Sequence, residues 1–406
     1  MTDQRSIRTP APLPGDVSQA TLGVRGGLLR SGFDETAEAM YLTSGYVYKS
    51  AADAERAFAG EADRYVYSRY GNPTVTMLEE RLRLIEGAPA AFATASGMAA
   101  VFVSLGALLG AGDRLVAARS LFGSCFVVCN EILPRWGVET VFVDGDDLSQ
   151  WERALSVPTQ AVFFETPSNP MQSLVDIAAV TELAHAAGAK VVLDNVFATP
   201  ILQQGIPLGV DVVVYSGTKH IDGQGRVLGG AILGDEQYID GPVQKLMRHT
   251  GPAISAFNAW VLLKGLETLA IRVEHCNSSA QRVAEYLQGH PAVRWVRYPY
   301  LTSHPQYDLA KRQMSGGGTV VTFALDVPES VGKQRAFEVL DKLRLIDISN
   351  NLGDAKSLIT HPATTTHRAM GPEGRAAIGL GDNVVRISIG LESTEDLIAD
   401  LDQALR

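Results

Sequence analysis

A lysine stands among small hydroxyl residues at the end of an apolar run in VVVYSGTKHIDGQG, residues 212–225. Within a few positions valines and a tyrosine give way to Ser216, Gly217, Thr218, Lys219 and His220. An amine held at a strand end can form an imine with a carbonyl, and flanking hydroxyls can donate hydrogen bonds to an anion. Taken alone, the segment is read as well by a solvated loop with a surface lysine, because short motifs match by accident.

Two more strand-like runs end in polar chemistry. AVFFE (161–165) leads into Glu165-Thr166-Pro167-Ser168-Asn169-Pro170, and KVVLD (190–194) into Asp194-Asn195. Ligands of open parallel sheets bind beyond the carboxyl ends of the strands, so an acid, an asparagine and a lysine fall on one rim. A fourth run, AAFATAS (90–96), precedes Gly97-Met98-Ala99-Ala100, which opens an apolar helix. The unpaired N–H groups of such a glycine-led start, with the positive end of the helix dipole behind them, suit a phosphate. A phosphate cradle, an acid and a lysine together describe pyridoxal phosphate. The lysine forms the Schiff base, the acid keeps the pyridine nitrogen protonated, and Ser216 and Thr218 add hydrogen bonds to the phosphate.

Other motifs carry less. GQGRVLGG lacks the spacing of a dinucleotide fingerprint and does not read as a strand-to-helix turn, and no GxxxxGK[ST] occurs. His361 and His367 of HPATTTH lack the usual metal spacing and an acidic partner in the segment, so they are read as structural or supporting groups, and no metal is expected.

The elements that must position the rim alternate. Asp176 is a helix cap ahead of Ile177, Val180, Leu183, Ala184 and Ala187, and Gly188 ends that helix. Asn72 and Pro73 suit the start of a helix through Leu78, Leu82 and Ile85 that stops at Gly87. Continuous apolar strands separated by helices predict an α/β unit around a mostly parallel sheet. Past GPAISAFNAW a long helical stretch, WVLLKGLETLAIRVEHCNSSAQRVAEYLQGH, is followed by strand-like TVVTFAL, a helix near KQRAFEVLDKL and strand-like VVRISIG, a pattern that predicts a smaller α+β domain. The expected divisions are an N-terminal arm (1–60), a cofactor domain (61–256) and a C-terminal domain (257–406).

Composition narrows the class. The 406 residues are 46% hydrophobic with a formal charge of −10, which argues against a nucleic-acid or anionic-membrane surface. Cys125, Cys129 and Cys276 are odd in number and form no CxxC, so neither a disulfide framework nor a zinc site is indicated and a reducing cytoplasm is expected. The polar start MTDQRSIRTPAPLPGD has no apolar segment of a signal peptide and is read as a tail.

YSRYGNPT (67–74), ATASGMAA, ETPSNP, LDNVFATP, YSGTKHIDG, NLGDAKSLITHPATTTH and VVRISIGLE, in that order, resemble the Cys/Met metabolism pyridoxal-phosphate enzymes. The likeness runs from about residue 40 to the end. It implies fold-type I, the aspartate-aminotransferase-like architecture, and assigns roles by position. Lys219 is then the Schiff-base lysine and Asp194 the pyridine-nitrogen partner. Gly97, Met98, Ser216 and Thr218 would contact the phosphate, and Tyr67 and Arg69 would reach it from a neighbouring subunit. Asn169 would lie near the cofactor's phenolic oxygen, and Arg386 would grip the substrate α-carboxylate.

Two positions depart from the family pattern. Phe122 stands where many members stack a tyrosine on the pyridine ring, which keeps the aromatic face and loses the phenol. Asn351, assigned to substrate binding, stands where many have a serine. SLFGSC and NLGDAKSLITHPA resemble the homoserine-ester sulfhydrylases, above all those using the succinyl ester. The implied activity is γ-replacement, sulfide displacing succinate or acetate from a homoserine ester to give homocysteine for methionine biosynthesis. A cysteine-using cystathionine γ-synthase and a γ-lyase are the alternatives. The implied assembly is a homotetramer, a dimer of dimers with shared active sites.

Overall fold

The computed structural model describes residues 13–406, so most of the segment read as a tail lies outside the described residues. Among those described, two sheets form. The larger contains β1 (Ala90–Thr94), β2 (Arg114–Ala118), β3 (Glu139–Val143), β4 (Ala161–Glu165), β5 (Lys190–Asp194), β6 (Val212–Ser216) and β7 (Gly230–Gly234), in the order β1-β7-β6-β5-β4-β2-β3. Only β7 runs against its neighbours β1 and β6; the other pairings are parallel. The expected mostly parallel sheet is present. Its strands β2, β3 and β7 were not singled out in the sequence; RLVAA and GAILG are rich in alanine and glycine and carry little strand propensity, while ETVFV of β3 is a strand-prone run that was passed over.

Both faces of this sheet are covered. Val162, Phe164, Val191, Leu193, Val213 and Tyr215 join one apolar cluster, while Ala161, Phe163, Val192, Val212 and Val214 join another. The two-residue period of a strand also sets the face to which each strand's last residue points. Glu165, Asp194 and Ser216 share parity with the second set, whose cluster also holds Ala100, Val101, Val103 and Leu105 of the Gly97–Leu108 helix. Alternation thus delivers two acids and a hydroxyl to the face covered by the helix whose N-terminus is to hold an anion. Tyr215 and Asn195 have the opposite parity.

Local signals set the helices. Asn72 caps the Pro73–Glu86 helix by accepting from Thr74 N–H, and left-handed Gly87 ends it. Asp176 caps Ile177–Ala186 through Ala179 N–H, with Gly188 at φ +79° just beyond. The long helical stretch expected after residue 257 is two helices, Ala256–Leu266 and Leu269–Gln288. At Gly265 a Cβ would meet Ile221 O at 2.1 Å, so the first helix lies against the chain just after Lys219. The second helix contributes Leu269 and Val273 to the large-sheet core and Val283 and Leu287 to the core of the second sheet.

That second sheet comprises β8 (Val293–Arg297), β9 (Val320–Leu325), β10 (Asp347–Ile348), β11 (Leu358–Thr360) and β12 (Val384–Ser388), in the order β10-β11-β12-β9-β8. It is antiparallel except between β10 and β11. The N-terminal segment is tied to the rest by Arg81, which donates to Glu38 Oε1 (2.6 Å), Gly26 O (2.8 Å) and Leu263 O (3.1 Å). Lys264 donates to the other Glu38 oxygen at 2.9 Å. No helix among the described residues is long and apolar enough to cross a membrane.

Candidate active site

Lys219 follows β6 in the Gly217–Ile221 turn, where its φ of −92° and ψ of −125° break the helical geometry. Arg272, nearly buried, holds this kink by donating to His220 O (2.7 Å) and Gly265 O (2.8 Å). His220 Nε2 is bonded to Thr319 Oγ1 at 2.7 Å. The lysine is therefore aimed by its neighbours rather than free to sweep. Its Nζ donates to Asn351 Oδ1 at 2.5 Å. Burial, together with the Arg386 charge and against that of Asp194, pushes Lys219 down to about 8, so an appreciable share of uncharged amine exists near neutrality.

Two acids face it. Asp194 and Glu165 are in register on neighbouring parallel strands, and with Cys125 Sγ their oxygens lie within 4.8 Å of one another. Burial raises Asp194, opposed by the Val196 N–H and the Lys219 charge; the Val196 bond is 3.1 Å. Burial and the nearby Asp194 charge hold Glu165 well above the carboxylate range.

At the other end of the cavity lies the start of the Gly97–Leu108 helix. Ser96 turns its hydroxyl back onto Ala99 N–H, which leaves the amides of the first turn at the open end. A Cβ at Gly97 would come within 2.6 Å of Ser216 Cβ, so only glycine lets the helix start approach the Ser216 strand end this closely. Ser216 and Thr218 complete a set of donors around that approach. An anion-binding helix start, an amine of lowered basicity and a buried acid fit the phosphate, aldehyde and pyridine nitrogen of pyridoxal phosphate.

Arg386 of β12 enters from the second sheet. Its Nη1 donates to Asn169 Oδ1 (3.0 Å) and its Nη2 to Asn350 O (3.0 Å) and Asn351 O (3.2 Å), while its buried Nε has no partner. Burial pushes Arg386 down to about 10. His367 Nε2 lies 3.0 Å from Asn169 O and His361 Nε2 2.8 Å from Asp382 O. Both histidines are buried and held by main-chain carbonyls, in keeping with a supporting position.

One cavity thus gathers Gly97, Met98, Phe122 and Asn169 with Asp194, Ser216, Thr218, Lys219 and Arg386. Asn351 touches Lys219 directly. Tyr67 and Arg69 are not brought to this chain's own cavity. Tyr67 is partly exposed, and Arg69 donates to Arg248 O and lies over the Tyr67 and Tyr70 rings. Sequence reasoning assigned no role to Glu165, Cys125, Asn350 or Thr366, which also line the cavity. For Glu165 a signal existed in its position at the end of β4, level with Asp194. The other three sit on segments whose approach depends on tertiary packing.

A family described as Cys/Met metabolism PLP-dependent enzyme matches residues 20–406. An O-succinylhomoserine sulfhydrylase of Mycobacterium tuberculosis is 89% identical over 405 residues, 100% of both chains. One from Pseudomonas aeruginosa is 46% identical over 385 residues, 95% of this chain and 94% of that one. Among solved structures, a putative O-acetylhomoserine (thiol)-lyase of Campylobacter jejuni with N'-pyridoxyl-lysine-5'-monophosphate aligns at a TM-score of 0.91 and 32% identity, covering 96% of this chain and 100% of that chain.

Proposed function

Because the chain belongs to the Cys/Met metabolism PLP-dependent enzymes, a fold-type I family, we propose that it converts O-succinylhomoserine and sulfide to homocysteine and succinate, a step in methionine biosynthesis. The strongest support is the 89% identity, over the full chain, to the mycobacterial relative of that name. The γ-carbon loses its bond to the ester oxygen, which leaves as succinate, and gains one to sulfur.

Pyridoxal phosphate, when bound, supplies the electron sink that lets protons leave carbons of the substrate and the γ-ester depart. The protein's own residues do the rest. The amides of Gly97 and Met98 and the hydroxyls of Ser216 and Thr218 would hold the phosphate, and Asp194 would keep the pyridine nitrogen protonated. Phe122 would supply an aromatic surface for the ring, and Asn169 a polar contact for its oxygen. Arg386 binds the substrate α-carboxylate, for which its unpartnered Nε leaves a donor. Lys219 would carry the cofactor's aldehyde carbon and, as a free amine, would take the Cα proton and return one later. A basicity near 8 suits both directions of transfer. Asn351 Oδ1 holds that amine in place between transfers.

A homotetramer with Tyr67 and Arg69 completing the phosphate site of a neighbouring subunit belongs to the same proposal. Their distance from the chain's own cavity and the exposure of Tyr67 support it. A cytoplasmic setting is supported by three free, buried cysteines.

The deciding assay offers O-succinyl- and O-acetylhomoserine, each with sulfide and with cysteine. Homocysteine from the succinyl ester and sulfide is the expected product. Cystathionine as the dominant product would make the enzyme a γ-synthase, and an α-keto acid with ammonia a lyase. Subunit sharing is tested by mixing Arg69→Ala with Lys219→Ala under conditions of exchange. Random pairing should restore about a quarter of the activity in a strict dimer scheme, and continued inactivity despite proven exchange would overturn the shared site.

A further inference from the structure

Glu165 closes β4 in register with Asp194 on β5, so both side chains stand on one face of the rim. Their oxygens and Cys125 Sγ lie within 4.8 Å of one another, and Glu165 is only 5% exposed. Two carboxylates this close and this dry do not both ionise; one keeps its proton.

The surroundings decide which. The charged and titratable groups around the pair are Tyr215 on β6, Lys219 after β6, Arg386 on β12, and Cys125 and Cys129 on the segment after Phe122. Each acid accepts a main-chain N–H, Asp194 that of Val196 and Glu165 that of Phe122, so these bonds favour both ionised forms. It is the Lys219 charge that favours ionised Asp194. Among the described residues no cation forms an ion pair with Glu165. Arg386 instead spends its donors on Asn169, Asn350 and Asn351. The proton therefore stays on Glu165, in line with the direction in which burial and the Asp194 charge move it.

A neutral carboxyl still accepts hydrogen bonds, and this one accepts where the site needs fixing. Glu165 Oε1 takes the main-chain N–H of Phe122 at 2.6 Å, and the main-chain N–H of Asn169 lies near enough to favour negative charge on this carboxyl. One side chain thereby binds the segment that carries the aromatic face and lies against the main chain of the segment whose side chain holds Arg386. We propose that Glu165 is a positioning residue, an uncharged carboxylic acid that fixes Phe122 and Asn169 around the ring site. The acid pair then presents a single negative charge, that of Asp194, to the pyridine nitrogen.

The proposal rests on the cavity taking pyridoxal phosphate, so the experiment begins with the wild-type holoenzyme. Glu165→Gln keeps an acceptor oxygen and copies the neutral acid; Glu165→Ala removes it. Three readouts are followed: the carboxylic-acid carbonyl stretch in infrared difference spectra, the pH midpoint of the cofactor's visible band, and cofactor affinity. A protonated-acid stretch present in the wild type and lost in Glu165→Gln is expected. The Gln variant should move the midpoint by less than about half a unit and weaken affinity less than about threefold, since no charge is lost. The Ala variant should weaken cofactor binding by roughly tenfold, the cost of an amide left without an acceptor.

Absence of the stretch from the wild type, or a midpoint shift of about one unit or more in the Gln variant, would mean a charged Glu165 and overturn the proposal. Unchanged affinity in a folded Ala variant would remove the positioning role. If the Ala variant does not fold, the infrared and midpoint results from Glu165→Gln decide alone. A wild-type protein that takes up no cofactor would fail both this proposal and the cofactor site, a result distinct from any defect confined to the variants.

Discussion

Arg81 and Arg386 are both enclosed, at 0% and 1% exposure, yet their guanidinium groups meet opposite surroundings. Arg81 is matched at every nitrogen that faces the chain, with Glu38 on one arm and two carbonyls on the others. Glu38 would be pushed up by burial, but the bonds from Arg81 and Lys264 hold it below the ordinary carboxylate value. Arg386 has no carboxylate within ion-pair reach among the described residues, and one of its nitrogens is orphaned. A buried cation is costly unless an acid offsets it. At Arg81 the protein supplies that acid and gains a clamp on its N-terminal segment. At Arg386 no internal acid is supplied, and in the proposed function the acid is the one that arrives with the substrate. The difference separates a structural ion pair from a site.

Removing the rim's other cation should sharpen that separation most. Lys219→Ala should lose the proposed covalent bond to the cofactor, and turnover should fall by on the order of a thousandfold or more. Lys219 is a buried cation that donates to Asn351 and, among the described residues, forms no ion pair closer than its charge interaction with Asp194. The melting temperature of the cofactor-free protein should therefore hold or rise. A variant with turnover within tenfold of the parent would remove Lys219 from the chemistry.

The clamp should respond the other way. Glu38→Gln leaves Arg81 buried beside a neutral amide, and breaking a buried pair costs about 3–5 kcal/mol. Turnover per folded, cofactor-loaded molecule should be unchanged while the unfolding midpoint drops. A loss of kcat without a loss of stability would place Glu38 in the site and erase the contrast.

Much of the rim was legible because strand ends are local signals. Three apolar runs end at Glu165, Asp194 and Ser216, and alternation alone sends these to one face. Helix caps at Asn72, Asp176 and Gly87 were equally local. The contacts that separate Arg81 from Arg386 were not. Glu38 is 43 residues from Arg81, and Asn169 is 217 from Arg386, so no window of sequence holds both partners. For Arg386 only the family likeness gave a task. The role of Glu165 was missed for a related reason. Its position was visible, but its proton depends on the distance to Asp194 and on where the cations point.

A third kind of buried charge lies between the two arginines. Glu86 accepts the Tyr215 hydroxyl at 2.5 Å and the amides of Gly205 and Ile206, with no cation among its partners. Burial pushes it from 4.5 up to about 7, against those hydrogen bonds. Between these values the folded chain keeps a proton that the unfolded chain has released. Stability is therefore lost as pH rises through the window, by on the order of 3 kcal/mol in all. Glu86→Gln escapes the loss, so its melting temperature should gain on the parent as pH is raised from about 5 to about 8. A constant difference across that range would mean that Glu86 is charged throughout and paired in some other way.

The finest test of the comparison exchanges geometry and keeps charge. Arg386→Lys retains a cation in the same strand, but an ammonium cannot present two parallel N–H groups to a carboxylate. If Arg386 waits for the substrate's α-carboxylate, the loss is one charge-assisted hydrogen bond, roughly 1.5–3 kcal/mol. That corresponds to about a tenfold to hundredfold fall in kcat/KM. The fall should appear mostly as a raised KM, since the carboxylate is held alike before and during reaction. The cofactor's visible band should persist, because the arginine's present partners are Asn169 and the main chain of Asn350 and Asn351. Stability should fall by less than at Arg81, since the acceptors that lose a donor are Asn169 and two carbonyls and no internal acid is left unpaired. The same exchange at Arg81 should do the reverse, sparing KM while lowering the melting temperature, because Leu263 O and Gly26 O would lose their donors. If Arg386→Lys instead unfolded the protein with its KM intact, the two arginines would be doing the same work.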